Sequence, residues 1–300
     1  MKRLFILFVI LLPYVLGGGY YAYKNLFKVD ERFASSAQEN SLKKGEASSK
    51  IEVLKNLKFA PDDKAERLTD FTPSKKHKIL VMMMSYKRPI FLSGQILRLM
   101  NQTYDNFEVS VSIKGVSSDW VDATFMQEWK PFIEQGRLHI RFDENKEQLS
   151  NFLDTVRGKD LKKYDYFCKI DDDDWYAPQY LEDVNKWLNK EENIDISSTK
   201  NMTILENYQD KTRMYYSYLG WRGNTICLSH RILNMLFELE KNPAAYEEKY
   251  ASKEVNMHKK KNEDGMMYHF VQAIGGVVQE RKSPKTDVVY GRQYFSATRR

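Results

Sequence analysis

From Lys78 onward, apolar runs alternate with amphipathic stretches. Ile79-Leu80-Val81-Met82-Met83-Met84 is continuously apolar, the pattern of a parallel strand buried on both faces. Pro89 is placed for the first turn of a helix, with Ile96, Leu97 and Met100 on its apolar face. Phe107 to Ile113 carries Val109, Val111 and Ile113 at every second position and predicts a second strand. A helix around 119–135, a strand at Leu138–Phe142, a helix around 147–157 and a strand at 165–170 follow. Pro178 opens another helix, with Leu181, Val184, Trp187 and Leu188 on one face. Beyond it the pattern is less regular and predicts strands near 195–199, 213–219 and 224–228, with helices near 230–240 and 263–274. Strand–helix alternation of this kind predicts an α/β fold: a Rossmann-like, mostly parallel sheet with helices on both faces.

The first residues have a different texture. Met1-Lys2-Arg3 precedes an apolar run from Leu4 to Tyr23, broken by Pro13 and Gly17-Gly18-Gly19. About 20 apolar residues span a bilayer as a helix, and this run reaches that length. Tyr20, Tyr21 and Tyr23 lie where an interfacial belt belongs. A membrane anchor is the preferred reading; a cleaved signal, with Gly17 and Gly19 before the cut, is the other. Basic residues flank both ends (Lys2 and Arg3; Lys24, Lys28 and Arg32), so orientation stays open. Residues 25–76 are polar and rich in Lys, Glu, Ser and Ala. The expected layout is an anchor or signal over 1–24, a stem or linker over 25–76 and a globular domain over 77–300.

Composition adds bounds. A hydrophobic content of 42% and an aromatic content of 13% in 300 residues allow a packed core. A net charge of +6 is mildly basic and is not a nucleic-acid binder's signature. The basic residues near the end (Arg281, Lys282, Lys285, Arg292, Arg299, Arg300) read most simply as a solvated tail. Cys168 and Cys227 have no CxxC or Cys/His spacing, which argues neither a disulfide framework nor zinc; Cys168 reads as a small core residue.

The chemistry centres on Asp171-Asp172-Asp173-Asp174, directly behind the strand ending at Ile170. Four like charges at a strand end need a cation or solvent to offset their repulsion. Ligands of open α/β sheets bind at the carboxyl ends of the strands. Hard oxygen ligands suit Mg²⁺ or Mn²⁺ carrying a diphosphate. The bland alternative is an acidic cap on the helix that Pro178 opens, but four carboxylates exceed a capping need.

Three motifs in order resemble the family 2 glycosyltransferases of GT-A fold. Ser85-Tyr86-Lys87-Arg88-Pro89, continuing into Gln102-Thr103-Tyr104-Asp105-Asn106-Phe107-Glu108, is similar to the family's opening segment. Lys169 to Glu182 resembles its DxD-containing segment, and Asn262-Glu263-Asp264 its late acidic pair. The resemblance covers roughly 78–275. It implies metal-dependent, inverting transfer of a sugar from a nucleotide-sugar donor to a glycan, lipid-linked or protein acceptor. Under it, Asp173 and Asp174 hold Mg²⁺ or Mn²⁺ and Asp171 lies near the donor ribose. Asp264 is the catalytic base, with Glu263 binding or supporting the acceptor. Ser85, Lys87 and Arg88 face the donor, and Lys114 takes a place where the family usually has an Asp. Trp221 and Arg222, between Gly220 and Gly223, are acceptor-site candidates, whereas Tyr215, Tyr216 and Tyr218 read better as strand residues packing inward.

The Ile113-Lys114 departure matters because a carboxylate accepts from a uracil N–H and a lysine only donates. It also keeps a second class open: a membrane-tethered, catalytically silent binding module with the same fold. A nucleotidyltransferase is less favoured, because Ser85-Tyr86-Lys87-Arg88-Pro89 has no glycine to cradle phosphate. The catalytic domain is expected on the cytoplasmic side if the chain is bacterial and in the Golgi lumen if it is eukaryotic.

Overall fold

The computed structural model describes residues 71–292, except 120, 122–124, 144–147, 200, 209–210, 219–224, 245–266, 268–270, 272–273 and 282–287. Contacts divide the chain into Met1–Pro61 and Asp62–Arg300, and the described residues lie in the second unit. The expected anchor over 1–24 and the expected stem as far as residue 70 lie outside them; residues 71–76, the end of that stem, are described, and Ser74 and Lys75 there are hydrogen-bonded to Asn189 of the domain. Among the described residues no helix is long and apolar enough to cross a membrane.

The strands are β1 (Ile79–Tyr86), β2 (Phe107–Lys114), β3 (Leu138–Asp143), β4 (Tyr166–Lys169), β5 (Trp175–Tyr176), β6 (Ile196–Thr199), β7 (Asn201–Tyr208), β8 (Lys211–Tyr218), β9 (Cys227–Leu228), β10 (Val278–Arg281) and β11 (Val288–Arg292). The helices are α1 (Pro89–Met100), α2 (Met126–Glu134), α3 (Gln148–Asp154), α4 (Tyr180–Leu188) and α5 (His230–Lys241). The main sheet runs β10-β6-β9-β4-β1-β2-β3. Only β9 opposes its neighbours, so β10, β6, β4, β1, β2 and β3 all point one way. A mostly parallel α/β sheet is what the apolar runs predicted.

Burial explains why β1 is continuously apolar. Ile79, Val81 and Met83 pack into one core with Leu92, Ile96 and Leu99 of α1, Trp129 of α2 and Leu181 and Val184 of α4. Leu80 and Met82 pack into a second core on the opposite face, with Phe152 and Leu153 of α3 and Ile232, Leu233 and Leu236 of α5. Each such side chain contributes roughly 1.5–3 kcal/mol when fully buried. The helix expected near 263–274 is described at Met267 and Val271, which are helical and buried in this second core, and at Ile274, which lies in a turn.

The sheet grows outward from β1 through β2 to β3, then returns to β4 on the other side of β1. The gap between the carboxyl ends of β1 and β4 is therefore the point where the winding reverses, the usual place for a ligand in such sheets.

Three features differ from the sequence expectations. First, β7 and β8 form an antiparallel hairpin in a second sheet ordered β5-β11-β7-β8, where a strand near 213–219 alone was expected. Second, the basic end is not a solvated tail throughout: Arg281 ends β10 with 2% of its surface exposed, and Arg292 ends β11. Third, Cys168 and Cys227 are disulfide-bonded. They are register partners of β4 and β9, so the antiparallel crossing brings together two cysteines whose spacing gave no sign of it.

Candidate active site

β1 and β4 end side by side, which sets Ser85 to Arg88 against Asp171 to Asp174. Ser85 is buried and its Oγ donates to Asp172 Oδ2 at 2.6 Å. The Arg88 guanidinium donates to Asp172 Oδ1 at 2.6 Å and to the Asp173 carboxylate. Asp172 is thus turned toward β1, away from its three neighbours. Those three, Asp171, Asp173 and Asp174, each present a carboxylate oxygen, all within 4.8 Å of one another.

Several groups hold this turn. The Asp171 N–H donates to the Tyr176 hydroxyl at 3.1 Å. Lys169, buried at the end of β4, reaches Asp171 Oδ1 with its Nζ at 3.1 Å. Burial pushes the Asp172 carboxyl up to about 7, against the pull of Arg88. Burial also raises Asp173, with Asp171 adding to it and Arg88 opposing. Arg88 is itself penalised by burial, but Asp172 and Asp173 together hold it charged. Among the described residues, Arg88 and Lys169 are cations in contact with this turn. The donor set fits a divalent cation: three clustered hard oxygen ligands at a strand end.

The neighbouring exit from β2 is built by a close backbone approach. Gly115 has φ +68°, and a Cβ there would lie 2.7 Å from Lys87 Cγ. Lys87 itself has φ 55° and donates its N–H to the Lys114 carbonyl at 2.9 Å. Its side chain turns outward, with Nζ 5.0 Å from the centre of the Tyr86 ring. Lys114 is buried at the carboxyl end of β2.

The donor-side residues read from the sequence (Ser85, Lys87, Arg88, Lys114, Asp171, Asp173 and Asp174) thus gather at one edge. Arg88 meets the acidic turn, and Asp171 belongs to the three-carboxylate group. Trp221, Arg222, Glu263 and Asp264 lie outside the described residues. Asp172 and Lys169 carry structural weight that the motif did not reveal. A run of four aspartates does not say which one turns away, since that depends on Ser85 and Arg88, more than 80 residues earlier.

The Gln102 to Glu108 segment has a bracing role. Gln102 donates to the Ala177 carbonyl at 2.7 Å and accepts from the Leu181 N–H at 3.0 Å. The Thr103 hydroxyl donates to Glu182 Oε2 at 2.8 Å. Two stretches of the motif that are distant in sequence therefore clamp each other and fix the start of α4, just behind the acidic turn.

No family model matches the chain, and no curated protein matches it. Among solved structures, the mannosyltransferase PcManGT from Pyrobaculum calidifontis, in complex with GDP-Man and Mn²⁺, is similar at 12% identity and TM-score 0.48, over 77% of this chain and 62% of its own. S. aureus TarS 1-349 in complex with UDP is similar at 12% identity and TM-score 0.45, over 71% of this chain and 60% of its own. The chain spans 60–62% of the length of these two structures. At TM-scores below 0.5, nothing about this chain follows from the likeness.

Proposed function

We propose that the chain is a metal-dependent glycosyltransferase of GT-A type, transferring a sugar with inversion from a nucleotide-sugar donor to a glycan, lipid-linked or protein acceptor. The observation that carries this reading is the group formed by Asp171, Asp173 and Asp174 at the point where the sheet reverses its winding. The resemblance of the three sequence motifs supports it. A bound Mg²⁺ or Mn²⁺ supplies charge to the leaving diphosphate. Asp173 and Asp174 would hold that ion, and the oxygens of Asp171, Asp173 and Asp174 lie within 4.8 Å of one another. Asp172, whose two carboxylate oxygens are taken by Ser85 and Arg88, would not be among its ligands. Lys114 lines the side where a donor base lies, and Asp264 takes the acceptor proton, with Glu263, Trp221 and Arg222 on the acceptor side. An anchor over 1–24 and a stem over 25–76 tether the domain to a membrane, facing the cytoplasm in a bacterium or the Golgi lumen in a eukaryote.

One observation favours a second reading. Arg88 and Lys169 already neutralise part of the charge that a metal ion would take up, which suits a silent binding module. Two measurements separate the readings: nucleoside-diphosphate binding with Mn²⁺ and with EDTA, and sugar transfer from a panel of nucleotide sugars. The transferase reading expects Mn²⁺-dependent binding that Asp173→Ala abolishes. It also expects Asp264→Asn to lower transfer by roughly 10²-fold or more while donor binding holds. Equal affinity in Mn²⁺ and EDTA sinks the metal site, and no transfer from any donor favours the binding module.

A further inference from the structure

Arg281 is a buried cation outside the acidic turn. A charge is rarely placed where water cannot reach it unless it is paired or hydrogen-bonded. Arg281 is 2% exposed, and its guanidinium donates to the Thr225 carbonyl and, at 3.4 Å, to the Tyr180 hydroxyl. Its Nε has no partner among the described residues, and its guanidinium carbon lies 5.6 Å from the centre of the Tyr180 ring.

Topology says where this cation lies. β10 is parallel to β6 and so to β4, which puts Arg281, the last residue of β10, at the same edge as Asp171. A chain of contacts leads there. The Tyr180 ring packs on Tyr176 at 5.0 Å, and the Tyr176 hydroxyl accepts the Asp171 N–H. From the other side β11 pairs with β5, setting Val288 opposite Tyr176 and Val289 opposite Trp175. The late strands therefore grip the residues just after the acidic turn twice, by an arginine and by a strand. Mutually repelling carboxylates need such a grip, because nothing in a run of aspartates keeps their oxygens converged.

We propose that Arg281 is a positioning residue for the metal-binding turn, acting through Tyr180 and Tyr176 on Asp171. This rests on the metal site of the proposed function. Supporting partners of metal ligands alter affinity by about 10–100-fold when removed, which sets the expected effect.

The experiment titrates Mn²⁺ alone, by electron paramagnetic resonance of the free ion, against the intact protein and three variants, with melting temperature recorded in EDTA. Arg281→Met and Tyr176→Phe are each expected to weaken Mn²⁺ binding at least about 10-fold. Arg157→Met is the control. It breaks the bridge from Arg157 to Asp154 and Glu240 between α3 and α5, and is expected to lower the melting temperature with Mn²⁺ affinity intact. If Arg281→Met does not fold, Tyr176→Phe decides, since it removes a single oxygen. Unchanged Mn²⁺ affinity in folded Tyr176→Phe or Arg281→Met overturns the proposal, as does an equal loss in Arg157→Met. If the unaltered protein binds no Mn²⁺, the metal site and the positioning role both fall. If it binds Mn²⁺ in this pattern but transfers no sugar, the transferase reading falls and the positioning role stands.

Discussion

The two edges of the main sheet each hold a cluster of charge, and they are built on opposite plans. At the amino edge, Glu108 receives Lys78 Nζ at 2.8 Å, the Tyr164 hydroxyl at 2.6 Å and His139 Nε2 at 2.9 Å. Burial alone raises its carboxyl, but these three partners override it and hold it at about 2. At the carboxyl edge three carboxylates converge, and burial pushes Asp172 and Asp173 the other way. One edge has an acid saturated with donors; the other has acids converging on each other. A saturated cluster adds stability, whereas converging like charges store repulsion that a bound cation relieves. The difference is a physical reason to look for chemistry at one edge and not at the other.

The largest effect is expected at the seam joining the two edges. The Cys168–Cys227 disulfide closes a loop with a sequence separation of 59. Loop-closure entropy puts its contribution at about 4 kcal/mol. Chemical denaturation of the Cys168→Ala/Cys227→Ala double variant reads that loss, and titration of free thiols in the unfolded, unreduced chain is expected to find none. Free thiols there would show that the pair is not bonded.

A sharper contrast comes from removing one carboxylate at each edge. Asp173→Ala is expected to abolish Mn²⁺ binding while leaving the melting temperature in EDTA unchanged or higher, because repulsion is relieved. Glu108→Gln is expected to do the reverse, costing about 1–2 kcal/mol of stability with Mn²⁺ affinity intact. The pH dependence has a definite sign. The Glu108 carboxyl is depressed from 4.5 to about 2, so its contribution is present above pH 4.5 and is lost as pH falls toward 2. The melting-temperature gap between Glu108→Gln and the unaltered protein should therefore be full at pH 7 and close near pH 2. A gap that persists at pH 2 would mean that Glu108 acts by packing and not by its charge.

The smallest effect is expected at Gly115, where Ala meets both a positive φ and the Lys87 side chain. A loss of about 1 kcal/mol, read by denaturant titration, is the scale for a side chain forced into the left-handed region. No loss would mean that Lys87 gives way freely.

How much the sequence disclosed follows the range of the interactions. Strands buried on both faces were legible because their cause is local: β1 is apolar at every position since both faces are covered. The acidic turn was legible as a site for the same reason, its charges being adjacent. The β7–β8 hairpin was only half legible. Asn201 to Tyr208 is largely polar and lacks the continuous apolar run that marked the parallel strands. Arg281 read as tail because a lysine and arginine run looks solvated; only β6 beside it, with Tyr180 and Thr225, buries it. The disulfide and the bracing role of Gln102 were invisible for a like reason, since their partners lie 59 to 79 residues away.

The strand order also fixes a sequence of events in time. β5, which immediately follows the acidic turn, is paired with β11, and the outer edge of β6 is covered by β10. A ribosome delivers roughly 5–20 residues each second, so the acidic turn emerges several seconds before β10 and β11. Until the segment to Arg292 has been made, β5 lacks a partner and the turn lacks its support. The growing chain thus carries its most charged element unfinished for the longest time. Protease protection of chains stalled before and after residue 292 reads that order directly.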